Sequence, residues 1–155
     1  MTHTFRKLLA LGAPALLAFP TAQAATFTWG TTTANWSAPA AWVGGTVPGQ
    51  GDLTELIFGG AVAQNLSPAV SPPAYTATND VAGTFALNRL TLNATDPLAG
   101  GIAGVGQVVA GNALRLGGTL PQVAQTGAGG VVFDVPVVLG GGLIFTGDGA
   151  GLATF

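Results

Sequence analysis

The chain has 155 residues, of which 6% are charged, 25 are Gly, 10 are Pro and none is Cys. Soluble domains ordinarily carry about 25% charged residues, so a fold built on helices with charged, solvated faces is excluded, and the Gly and Pro content tells against helix again. The formal net charge of −2 offers no basic surface to a phosphate backbone.

The first segment reads as an address. His3, Arg6 and Lys7 form a basic start, Leu8–Phe19 is an apolar run, and Ala22-Gln23-Ala24 supplies small residues at the spacing signal peptidase accepts. A membrane anchor needs about 20 apolar residues, and this run is shorter and broken by Pro14 and Pro20. Residues 1–24 are therefore expected to be a secretory signal peptide, cut between Ala24 and Ala25. The rest keeps Arg89 and Arg115 as its only cations, against Asp52, Glu55, Asp80, Asp96, Asp134 and Asp148. Nucleic acid and anionic lipid are poor partners for such a surface. No transmembrane helix is expected after the leader. With no disulfide available in an oxidising compartment, order must come from packing and backbone pairing.

The mature chain divides into residues 25–80, read as an N-terminal cap and first strands, and residues 81–155, read as stacked strands. Thr26–Trp29 alternates β-branched and aromatic residues, the pattern of a strand. Ala34–Val43 has apolar residues at helical spacing, but Pro39 and the surrounding Gly and Thr predict an irregular cap. Short apolar runs then follow at Leu56–Phe58, Phe85–Leu87, Leu90–Leu92, Leu114–Leu116, Val131–Phe133, Val137–Leu139 and Leu143–Thr146, most of them bounded by Gly, Asn, Pro or Asp. No window carries a convincing amphipathic helical stripe. The fold class is all-β. Leu-x-Leu at Leu90–Leu92 recurs at Leu114–Leu116 and, as Leu143–Phe145, once more, with Gly-rich turns at Gly100–Gly106, Gly117–Gly118, Gly127–Gly130 and Gly140–Gly142 between them. Recurrence at this spacing predicts a β-solenoid, in which like side chains stack from coil to coil. A β-sandwich is the alternative.

The last residues, Gly142–Phe155, turn at Gly147-Asp148-Gly149 and enter another strand without a polar capping repeat. The expectation is the N-terminal part of a longer repeat protein; a truncated frame with no independent function is the remaining alternative.

Catalytic chemistry finds few side chains. After leader removal no His, Cys or Lys remains, which excludes nucleophile–His catalysis, Schiff-base chemistry and a His/Cys zinc site. Asp52 and Glu55 lie close together but in a turn-rich stretch, where solvating a loop is the better reading than a glycosidase pair. Gly147-Asp148-Gly149 does not complete a Gly-rich calcium repeat and is read as a turn. Gly104-Val105-Gly106 lacks the third Gly of a dinucleotide fingerprint. Asn35-Trp36-Ser37, Asn65-Leu66-Ser67 and Asn93-Ala94-Thr95 match the N-glycosylation acceptor but are read as chance turn sequences. Arg89 and Arg115 are placed at Leu-x-Leu strands where they would point outward. Trp29, Trp36 and Trp42 have two readings: the core of a cap over the first coil, which is favoured, or an exposed platform for sugar rings. No catalytic or metal-ligating residue and no cofactor is assigned, and no binding residue is fixed.

The stretch Thr28-Trp29, Asn35-Trp36-Ser37, Trp42, Gly45-x-Val47-Pro48-Gly49 and Gly51-Asp52, followed by Leu56-Ile57-Phe58, resembles the mature start of large secreted bacterial proteins that carry autotransporter-associated β-strand repeats. Asn88-Arg89-Leu90-Thr91-Leu92 resembles their first coil motif, and Gly142–Gly149 looks like the Gly-rich strand repeat. The resemblance covers most of residues 27–155 and implies a right-handed parallel β-helix displayed outside the cell or at the outer membrane, and no particular chemistry. The resulting expectation is a non-enzymatic, exported β-helix with a structural, adhesive or matrix-contact role, in contact with extracellular polysaccharide or cell-surface components. The alternative is a glycan-binding or polysaccharide-active β-helix whose site lies outside these residues.

Overall fold

The computed structural model describes residues 24–60, 75–94, 107–149 and 153–155. Residues 1–23 of the expected leader, the expected turn at Gly100–Gly106, Asn65-Leu66-Ser67, Thr95 and Asp96 lie outside the described residues. Among those described, the chain is all-β, with one short 3₁₀ turn at Pro39–Ala41. In chain order the strands are β1 (Ala25–Thr28), β2 (Ala34–Asn35), β3 (Thr54–Gly60), β4 (Tyr75–Asn79), β5 (Phe85–Leu87), β6 (Arg89–Ala94) and β7 (Gln107–Gly111). They continue as β8 (Leu114–Leu116), β9 (Gln122–Gln125), β10 (Val131–Asp134), β11 (Val137–Leu139), β12 (Ile144–Thr146) and β13 (Ala153–Thr154).

The strands form three sheets, ordered β1-β3-β6-β9-β12, β2-β4-β7-β10-β13 and β5-β8-β11. Every strand pair within them is parallel. From β3 onward the chain visits the first, second and third sheets in unbroken rotation, so each strand from β6 onward pairs with the one laid down a circuit earlier. Parallel strands cannot be joined by a tight hairpin and need a crossover; here the crossover runs through the other two sheets. The antiparallel pairing of an ordinary sandwich is not found among these strands.

Alternation along each strand decides what points inward. In the first sheet Leu56, Leu90 and Val123 occupy one ladder, and Phe58 and Leu92 the next. In the third, Phe85 stacks on Leu114 and Leu87 on Leu116, and in the second Ala77 stacks on Val109 and Phe133. All these side chains are buried and belong to one apolar core. Side chains on the opposite faces are half-buried or exposed at Glu55, Thr76, Arg115 and Val132.

The Leu-x-Leu recurrence proves to be two ladders read as one. Leu114–Leu116 stacks on Phe85–Leu87 and Val137–Leu139 in the third sheet. Leu90–Leu92 belongs to the first sheet, where Val123 and then Phe145 continue the row of Leu90. A repeat of alternating Leu has no mark that tells one side of the circuit from another. Corners bring backbones close together. Gly111 has φ +105°, and a Cβ there would overlap the carbonyl of Asn79, so Gly is required on both counts.

The start is irregular, as Pro39 and the surrounding Gly and Thr led one to expect. β2, the 3₁₀ turn and an isolated antiparallel bridge between Trp29 and Trp42 replace regular strands. The Gly30 N–H donates to the Ala41 carbonyl at 2.7 Å and the Val43 N–H to the Thr28 carbonyl at 2.9 Å. This return segment runs against the far end of β1, and the Gly51 N–H donates to the Ala86 carbonyl on β5 at 2.8 Å. Backbone groups that would otherwise be bare edges are thereby paired.

Candidate functional site

At the start of the chain three Trp pack together with Phe58 and Phe85. Trp29, Trp36 and Trp42 are 2%, 0% and 3% exposed. Trp42 meets Trp29 edge to face at 4.8 Å between ring centroids and Trp36 at 5.8 Å, while Trp36 stacks on Phe58 at 5.6 Å and meets Phe85 edge to face at 5.3 Å. These are the offset and perpendicular arrangements that the ring quadrupole favours. The Trp29 indole N–H donates to the Thr32 carbonyl at 3.0 Å and that of Trp42 to the Trp36 carbonyl at 2.8 Å. The Trp36 indole nitrogen is buried without a hydrogen-bond partner. No face of the three indoles is open for a sugar ring, so the cluster is core and the platform reading is set aside.

Glu55 anchors a polar row on the outer face of the first sheet. Its register neighbours across the strands are Thr26 and Arg89, with Gln122 beyond. Its carboxylate accepts from the Thr91 hydroxyl at 2.9 Å and the Thr26 hydroxyl at 3.2 Å, and lies 3.2 Å from Arg89 Nε. Asp52 instead lies 3.6 Å from Arg115 on an exposed corner. The two carboxylates that adjoin in sequence thus serve different cations and do not face each other as an acid–base pair. Arg89 and Arg115 sit on outer faces, as expected, with side chains 44% and 45% exposed.

Asp80 takes the Ser37 hydroxyl at 2.5 Å and the Ser37 N–H at 2.9 Å. The hydroxyl bond, with help from the backbone bond, holds its carboxyl below the ordinary Asp range. Ser37 of the Asn35-Trp36-Ser37 acceptor is thereby engaged, and Asn35 and Asn93 are exposed. Asp148 is exposed in its turn, and among the described residues no cluster of three or more His, Cys, Asp or Glu could hold a metal ion.

One polar pair lies inside. Tyr75 and Gln107 are opposite each other in the β4–β7 ladder, 0% and 3% exposed, and the Tyr75 hydroxyl donates to Gln107 Oε1 at 2.8 Å. Burial pushes the Tyr75 phenol well above its ordinary range. Asparagines tie the corners: Asn79 Nδ2 donates to the Asn112 carbonyl at 2.9 Å, Asn112 Nδ2 to the Val81 carbonyl at 2.9 Å, and Asn88 Nδ2 to the Gly117 carbonyl at 2.9 Å. Sequence reasoning passed over Tyr75, Gln107, Asn79 and Asn112, and met Asn88 only as part of a coil motif. The signal that finds them is register, since Asn79 and Asn112 occupy the same corner one circuit apart.

Glu55, Asp80, Tyr75 and the corner asparagines each have a partner within the fold, an arrangement that rigidifies. Among the described residues no helix is long and apolar enough to cross a membrane. No family model, curated protein or solved structure matches the chain.

Proposed function

We propose that the chain is a right-handed parallel β-helix of the kind that carries autotransporter-associated β-strand repeats, exported by its leader and displayed outside the cell. Its role in this reading is structural: extension, adhesion or matrix contact, without enzymatic activity. The observation that carries the reading is the unbroken rotation of the chain through three parallel sheets. Parallel crossovers of this kind are right-handed in about 98% of cases. The charge-poor composition agrees with it, because order comes from ladders and stacked apolar rows rather than from ion pairs.

Export is the part that a single experiment decides. The full chain expressed in a bacterial host should lose residues 1–24, begin at Ala25, and become accessible to added protease on intact cells. Protein that keeps Met1 and stays protected inside the cytoplasm would overturn the exported reading.

A further inference from the structure

The inner side of the β4–β7 ladder mixes polar and apolar rungs. Tyr75 stands opposite Gln107 at one end, Ala77 opposite Val109 in the middle, and Asn79 opposite Gly111 at the corner. Side chains alternate with period two along a strand, so a slip of β7 along β4 by two residues keeps the same side chains inside. Val109 would then face Tyr75 or Asn79 in place of Ala77. Apolar contact is non-directional and discriminates weakly between such registers. At the corner Asn112 is exposed, and water can replace a displaced amide bond there.

Gln107 has no such recourse. It is 3% exposed, its Oε1 accepts from the Tyr75 hydroxyl at 2.8 Å, and its Nε2 donates to the Gly60 carbonyl at 3.4 Å. Two residues of strand measure roughly 6.6 Å, more than a hydrogen bond can follow. A slipped ladder would therefore leave both the phenol and the amide buried without each other.

We propose that the Tyr75–Gln107 pair sets the register in which β7 lies on β4. Its contribution is to the choice among registers more than to stability, the use of a buried polar group that is best attested. The next circuit inherits the choice, because Val131 and Phe133 of β10 stand opposite Gln107 and Val109.

The chain has no cysteine, so pairs of introduced cysteines report register. Thr76 and Val108 are opposite each other on the outer face, and adjacent strands lie about 4.8 Å apart, a separation that a disulfide spans. Thr76 with Ala110, and Thr78 with Val108, are two residues out of step in either direction, at roughly 8 Å, which a disulfide does not bridge. In glutathione redox buffer Thr76→Cys/Val108→Cys should bridge, whereas Thr76→Cys/Ala110→Cys and Thr78→Cys/Val108→Cys should not. Adding Tyr75→Phe/Gln107→Leu to these chains should raise one of the off-register bridges about tenfold. The far-ultraviolet circular dichroism spectrum should be unchanged, and the melting temperature no lower than that of Tyr75→Phe alone. Off-register bridges that stay absent would overturn the proposal by showing that the apolar rows and the corner set register unaided. Loss of the fold in Tyr75→Phe/Gln107→Leu would overturn it by making the pair a source of stability instead.

Discussion

Trp36 is the residue on which the start of the fold turns, touching Trp42, Phe58 and Phe85 at once. Replacing it by Ala should cost about 3–5 kcal/mol in denaturant unfolding, the range for large aromatic truncations in a core. Trp36→Phe should cost less, since it removes the buried indole nitrogen that has no partner. Asp80 gives a residue-level test in pH. Its carboxyl is held below the ordinary Asp range by Ser37, so its contribution is present above the unfolded-state pKa and is lost as pH falls through the lower folded-state value. Ser37→Ala should raise the Asp80 pKa toward that of a free Asp in a chemical-shift titration. An unmoved titration curve would mean that Ser37 is not the cause. Both features involve residues that sequence reading singled out only in part. Three Trp near one another pointed to a buried cluster, whereas Asp80 is separated from Ser37 by a full circuit and no local pattern connects them.

At the scale of the element, strands with Leu, Val and Phe at alternate positions were legible. Phe85–Leu87, Leu114–Leu116 and Val137–Leu139 fall where the apolar alternation placed them, as β5, β8 and β11. β4, β7 and β9 were missed because Thr, Ala and Gln fill much of them: Tyr-Thr-Ala-Thr-Asn, Gln-Val-Val-Ala-Gly and Gln-Val-Ala-Gln do not advertise an apolar face. What makes them strands is the ladder on either side, a tertiary cause that outranks propensity. The Tyr75–Gln107 pair sits in that blind spot. Tyr75→Phe should cost about 1–3 kcal/mol by leaving the buried Gln107 amide oxygen unsatisfied, and thermal or chemical unfolding checks it. Glu55 behaves otherwise, because its partner Arg89 is half exposed. A Glu55→Gln/Arg89→Gln double-mutant cycle should return a coupling of less than about 1 kcal/mol. Glu55, read with Asp52 as a carboxylate solvating a loop, lies instead on β3 beside Arg89, while Asp52 neighbours Arg115: register, not spacing in sequence, chooses the neighbour.

For the whole molecule, stability resides in apolar rows and backbone ladders. Only two ion pairs stand among the described residues, and in each the Arg is nearly half exposed, so the melting temperature should scarcely change between low and high sodium chloride. A large shift with salt would mean that charge contributes far more than these pairs allow. Hydrogen exchange should be slowest in β6 and β7, which have a paired strand on both sides, and faster in β11 and β12, which have one. The order of pairing also bears on time. A chain made from its N-terminus delivers the three Trp before any strand from β3 onward exists. Every strand from β6 onward pairs with one already synthesised a circuit before. Each new circuit is therefore templated by its predecessor, and the register of the finished stack is inherited from its first turn.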